Sequence, residues 1–201
     1  EQVGRATWDG SLLTLPWTKS PTTAVLTHTG VNGTIDKAGV GDPSVLLDGI
    51  NYKMWFGCRE NAPHKSKIAY ATSTDGITWV KHTGTADPTD PTLAVVAPTP
   101  GAFDSDGAAS PHVIKDLAAP LAERYKMWYQ GHDASGITRI GYATSADGIA
   151  WTKFAPGGTP VAVLSPGVQL GGTPTPPPPK DDGGVRMPCV MLDGATYRMW
   201  Y

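Results

Sequence analysis

The four residues Tyr52-Lys53-Met54-Trp55 return as Tyr125-Lys126-Met127-Trp128 and again as Tyr197-Arg198-Met199-Trp200, at steps of 73 and 72 residues. A chain that restates itself at such an interval is built from copies of one supersecondary unit set side by side. A second block precedes each copy: Asp42-Pro43-Ser44-Val45-Leu46, Ser110-Pro111-His112-Val113-Ile114 and Met187-Pro188-Cys189-Val190-Met191. A third follows the first two, from Ile68 to Trp79 and from Ile140 to Trp151, with ten of twelve positions identical or similar. Asp48-Gly49 and Asp75-Gly76 stand between apolar runs, the strongest short-range hairpin signal. Each unit therefore spells four antiparallel strands, and a four-stranded sheet that repeats is a propeller blade. The expected fold class is all-β, a β-propeller of four-stranded antiparallel blades. Strands should cover about residues 40 to 82 and 108 to 154, with Pro43, Pro111 and Pro188 opening the innermost strands.

The 201 residues then divide as one propeller domain or a fragment of one: a closing half-blade at 1–19, blades at 36–82 and 104–154, and an opening half-blade at 181–201. Two whole blades and two halves leave sheet edges that natural proteins cover. The expectation is that a missing segment, or a further chain, completes the propeller. Gly171 to Lys180, with five prolines, reads as an extended polyproline stretch, either a stiff inter-blade loop or the rim of a binding site. Lys and Arg number 16 against 18 Asp and Glu, which leaves no basic excess for nucleic acid. Apolar runs such as Val161 to Leu164 fall far short of the roughly 20 residues of a membrane span. Cys58 and Cys189 stand 131 residues apart, at no zinc spacing, and whether they pair is open. No secretion leader precedes Glu1, so the expectation is that any such signal was removed or lies outside these residues.

Alignment on the prolines brings Asp36, Asp104 and Asp181 into register, each seven residues ahead. Segments leading into innermost strands face the central channel. This ring could be a funnel of acids that meets a sugar or cation, or a set of Asp caps tying turns to their own backbone. Arg186 and His112 are further candidates for the channel. Among the scattered histidines His64, His82, His112 and His132, only His112 directly follows such a proline, and none shows metal-ligand spacing. Fifteen Asp stand against three Glu, and Glu60 is the one Glu that could face a cleft; the blander reading makes Arg59 and Glu60 a solvated loop pair. His132 and Asp133 occupy the matching loop of the next unit. Trp79 and Trp151 close Asp-Gly boxes whose reading is structural.

The Asp-Pro-Ser-Val opening, the Tyr-Lys-Met-Trp strand and the Tyr-Ala-Thr-Ser-x-Asp-Gly-Ile-x-Trp pair resemble the five-bladed propellers of the arabinanase, xylosidase, levansucrase and invertase superfamily. In those enzymes, as the resemblance implies, carboxylates come from just before the first-strand proline, with one Asp as base or nucleophile and a Glu as proton donor. Carried over, that position holds Asp42, Ser110 and Met187, only one of them an acid. Glycoside hydrolysis needs two carboxyls flanking the bond. Asp42 with Asp106 or Asp104 could form such a pair, and no Glu is expected within reach of both. The expected function is an extracellular or cell-surface carbohydrate-binding or assembly propeller, with Asp36, Asp104, His112, Asp181 and Arg186 as ligand contacts. The alternative is an active hydrolase of a plant or microbial polysaccharide with Asp42 and Asp106 as catalytic carboxylates. No cofactor is implied beyond a calcium ion that a carboxylate pair could hold.

Overall fold

Alternating apolar residues on either side of each Asp-Gly turn fold into hairpins. The computed structural model describes residues 1–7, 17–60, 65–83, 94–167 and 183–201. In chain order its strands are β1 (Ala6–Thr7), β2 (Thr18–Lys19), β3 (Gly39–Asp48), β4 (Asn51–Arg59), β5 (Lys67–Ser73), β6 (Val80–Lys81), β7 (Ala94–Val96), β8 (Gly107–Lys115), β9 (Tyr125–His132), β10 (Thr138–Ser145), β11 (Thr152–Lys153), β12 (Cys189–Asp193) and β13 (Thr196–Trp200). Among the described residues there is no α-helix, only a single 3-10 turn at Leu121–Glu123. The fold is all-β and antiparallel. One sheet runs β3-β4-β5-β6 with β7 also on β5; a second runs β8-β9-β10-β11; β1-β2 and β12-β13 form two-stranded sheets.

Register repeats from sheet to sheet. Ala71 faces Lys81, Ala143 faces Lys153 and Ala6 faces Lys19. Further along the same strands, Ile68 meets Val96, Ile140 meets Leu164 and Val3 meets Leu26. So β1 and β2 have the geometry of a blade's outer half, whereas β12 and β13 have that of an inner half. The first strands of the two whole blades meet each other, Ser44 Oγ accepting the Val113 N–H at 2.9 Å, and Ser66, just ahead of β5, bridges Gly107 at the start of β8.

The prolines do not open the first two of these strands. β3 begins at Gly39 and β8 at Gly107, so Pro43 and Pro111 lie inside. Each sits where the pairing register slips, between Gly41 and Ser44 and between Ala109 and His112. A proline has no N–H for the ladder, and a bulge is where a strand tolerates one. The residue before each is left-handed, with φ of 50° at Asp42, 47° at Ser110 and 53° at Met187. These are the only described residues other than glycine with positive φ, and each such conformation costs roughly 1–3 kcal/mol.

Blades are joined by a polar clasp and a tryptophan. Asp48, ending β3, takes Lys53 of its own blade at 2.9 Å, with Lys115 at 2.5 Å and the Tyr125 hydroxyl from the next blade. Asp116 likewise takes the Tyr197 hydroxyl at 2.5 Å. Hydrogen bonds from Lys115, Tyr125 and Lys53 hold the Asp48 carboxyl well below the usual carboxylate range, against the opposing effect of burial. A carboxyl depressed in the folded state contributes stability at pH above its unfolded value near 3.9, and loses it as pH falls toward the folded value. Urea midpoints are therefore expected to fall as pH drops from about 4 toward 2. Asp48→Asn should flatten that fall while lowering the midpoint at pH 7, and an unchanged acid slope would count against the clasp.

Candidate functional site

The three left-handed residues converge. Asp42, Ser110 and Met187 line one cleft of about 360 Å³, together with Arg59, Glu60, Ser66, Ala109, Gln130, His132 and Arg186. A bulge turns a strand and re-aims its side chain, and here it aims one residue per blade at a shared space. Ser110 Oγ donates to Asp42 Oδ2 at 3.0 Å, so the positions ahead of the prolines in adjacent blades touch directly. Gly57 on β4 backs this contact: a Cβ there would lie 3.7 Å from Asp42 Oδ2 and 3.9 Å from the Ser110 nitrogen, at ordinary van der Waals distance.

The cleft carries both signs of charge. Glu60 takes Lys67 at 2.8 Å, and Arg59 reaches the Glu1 carboxylate at 3.2 Å. Thus Glu60, the one Glu that the sequence offered for a cleft, lines the same cleft as Asp42 rather than forming only a solvated loop pair with Arg59. Arg59 and His132 sit at matching ends of β4 and β9, opposite Gly39 and Gly107, where each first strand enters its blade. That equivalence was visible in the sequence as the matched loops after the two aromatic strands. Gln130 and Ser66 carried no such signal.

Asp36 and Asp104 do not line the cleft. Both are fully buried, Asp36 bound by Lys81 and the Thr29 hydroxyl, Asp104 by Lys153 at 2.5 Å, the Tyr129 hydroxyl at 3.0 Å and the Thr99 N–H at 3.3 Å. Burial, followed by the charge of Asp104, pushes the Tyr129 hydroxyl far up. These are neither a funnel of acids nor simple turn caps, but ion pairs with the lysine of each blade's last strand. Asp106 stands outside the cleft lining, 3.9 Å from His132 Nε2. His112 lies between blades rather than in the cleft; burial pushes its imidazole down, partly offset by a hydrogen bond with the Val190 backbone. Arg186 does line the cleft. Asp181, His64 and the polyproline stretch lie outside the described residues. Cys58 is buried, Cys189 is exposed, and both are thiols. No group of three or more His, Cys, Asp or Glu among the described residues is arranged to hold a metal ion, and none of the described helical turns is long and apolar enough to cross a membrane.

No family model matches the chain. Two uncharacterized proteins of Mycobacterium tuberculosis, from strains H37Rv and CDC 1551, are each 31% identical over 126 residues, which is 59% of this chain and 36% of theirs. The match thus spans about a third of those relatives' length. Among solved structures, a glycoside hydrolase superposes on 96% of this chain and 54% of its own with a TM-score of 0.60 at 17% identity. The fold is that of the β-propeller glycoside hydrolases. Sucrose-6-phosphate hydrolase from Lactobacillus gasseri gives a TM-score of 0.51 at 14% identity, over 68% of this chain and 25% of that one. In this glycoside hydrolase-like propeller, the cleft opens where first strands of neighbouring blades meet.

Proposed function

We propose that the cleft is a carbohydrate-binding site that holds its ligand without cleaving it, on an extracellular or cell-surface protein. The observation that carries this reading is the convergence of Asp42, Ser110 and Met187, each left-handed and ahead of a first-strand proline, with a carboxylate on only one of the three. Strain kept at three equivalent positions and pointed into one polar space is the mark of a site. Asp42, Glu60, Arg59, Arg186 and Gln130 together offer donors and acceptors suited to a hydroxyl-rich ring, while the exposed Met187 supplies an apolar face.

Glu60 favours a second reading, hydrolysis with Asp42 as base or nucleophile and Glu60 as the acid, since cleavage needs one carboxyl of each kind. Against it, the Glu60 carboxylate is engaged by the Lys67 ammonium at 2.8 Å and so is poorly placed to carry a proton to a leaving oxygen. Titration with arabinan, xylan and fructan oligosaccharides should separate the two. Binding without release of reducing sugar is expected. Asp42→Asn should weaken it about tenfold or more, the scale of a lost charge-assisted hydrogen bond. Turnover by the wild type that both Asp42→Asn and Glu60→Gln abolish would overturn the binding reading in favour of hydrolysis.

A further inference from the structure

The repeat separates what the fold needs from what the cleft adds. Positions that hold the blades together keep their chemistry from unit to unit, as Asp36 with Lys81 and Asp104 with Lys153 do. Two residues ahead of each first-strand proline, the units instead hold Gly41, Ala109 and Arg186. Glycine and alanine show that the blade asks for no long side chain there, so the fold does not call for the Arg186 guanidinium. It is exposed in the cleft and has no hydrogen-bond or ion-pair partner among the described residues.

Two further basic side chains share that space. Arg59 ends β4, His132 ends β9, and both line the cleft, so each of the three units contributes one basic group to about 360 Å³. His132 owes its place to Gly107, where a Cβ would come within 2.1 Å of the ring Cε1 and 2.5 Å of Ser66 Oγ. The Arg59 pair with Glu1 is more than half exposed at both ends, the kind of pair that contributes little and that a ligand can displace.

The opposing carboxylates are largely committed. Glu60 is held by Lys67 at 2.8 Å, a pair that is neutral as a unit. Asp42 accepts from Ser110 at 3.0 Å and keeps lone pairs for a ligand hydroxyl. A neutral sugar seated here would take water from the guanidinium groups and return no charge. A carboxylate returns it, and its two oxygens match the planar fork of an arginine.

We propose that the cleft selects an acidic sugar, a hexuronate unit whose carboxylate is paired by Arg186, with Arg59 adding positive charge, while a ring hydroxyl donates to Asp42. This inference rests on the carbohydrate-binding reading of the cleft and names the class of sugar. The volume lies near the lower end of ligand pockets, roughly 300–1,000 Å³, and suits one or two rings.

Calorimetric titration with oligosaccharides of galacturonate and of glucuronate, each beside its neutral methyl ester, tests this. At least one acid is expected to bind about tenfold or more tighter than its ester, the scale of a charge-assisted hydrogen bond, and the margin should shrink as salt is raised. Arg186→Ala should bring the ratio of the two affinities toward one, and Arg186→Lys, which keeps the charge without the fork, should retain part of it. Asp42→Asn should weaken acid and ester together without lowering the ratio. Arg186 is exposed, so urea midpoints of its variants should match the wild type. Acids that bind no tighter than their esters, or a preference that survives Arg186→Ala, would overturn the proposal and leave the carbohydrate reading standing. Tighter binding of glucose 6-phosphate than of either uronide would overturn it in favour of phosphoryl recognition. Binding of no uronide and no neutral oligosaccharide would overturn both.

Discussion

Lys153→Met is expected to destabilise the protein by about 3–5 kcal/mol, the cost of leaving a buried carboxylate without its counter-ion. Asp104 has no exposed surface, and Lys153 Nζ is its one cationic partner among the described contacts, reaching Ala97 O and Thr99 Oγ1 as well. The Tyr129 hydroxyl and Thr99 N–H that remain are neutral dipoles and cannot offset a full charge. Lys81→Met should behave alike, because Asp36 is equally buried. Replacing both partners, as in Asp104→Leu with Lys153→Met, should recover much of the loss, since removing the charge removes the desolvation it must overcome. Urea unfolding followed by tryptophan fluorescence measures each value. A cost for Lys153→Met under about 1 kcal/mol would show that the pair is not what closes the blade.

Both members of these pairs stand in the sequence, in register, seven residues before a proline and at the end of each Trp-x-Lys run. What the sequence does not display is that they meet. Asp36 and Lys81 are 45 residues apart, Asp104 and Lys153 are 49, and the first and last strands of a sheet are brought together only by the loop that leads into the blade. An Asp kept in every unit therefore reads as functional or as a turn cap, when at Asp36 and Asp104 it is the buried half of an ion pair with the lysine of the last strand. The blades themselves were legible because Asp-Gly turns and period-two alternation act locally: Asp75 Oδ1 accepts the Ile77 and Thr78 N–H groups at 2.7 Å, and Asp147 repeats the arrangement. The bulges were not, since a register slip depends on the partner strand and a left-handed Asp42, Ser110 or Met187 ahead of proline runs against local preference. The cleft was half legible for the same reason. Asp42 and Arg186 could be found from the repeat and Glu60 from its place after the second strand, whereas Ser66 and Gln130 join them only through the packing of neighbouring blades.

The three tryptophans of the repeated motif should differ sharply in energetic weight although their sequence context is the same. Trp55→Ala is expected to cost about 3–5 kcal/mol, because it empties a fully buried site bounded by Tyr70, Tyr125 and Trp151 that backbone cannot collapse into. The lost indole bond is the smaller share, as the Gly148 carbonyl keeps the Trp151 donor. Approached from the other side, Gly148→Ala should also be costly: the residue is left-handed at φ 84°, and a Cβ would come within 2.7 Å of the Trp55 ring. Trp128 is also buried, packed on Tyr142 and on Tyr197 of the opening half-blade at 5.2 and 5.6 Å, so its truncation should cost nearly as much. Trp200→Ala should fall within about 0.5 kcal/mol of zero, because that ring is more than half exposed. What sets each value is whether a neighbouring blade covers the ring, not the strand that carries it. Equal losses at Trp55 and Trp200 would show that these rings stabilise their own hairpins rather than the junction between blades.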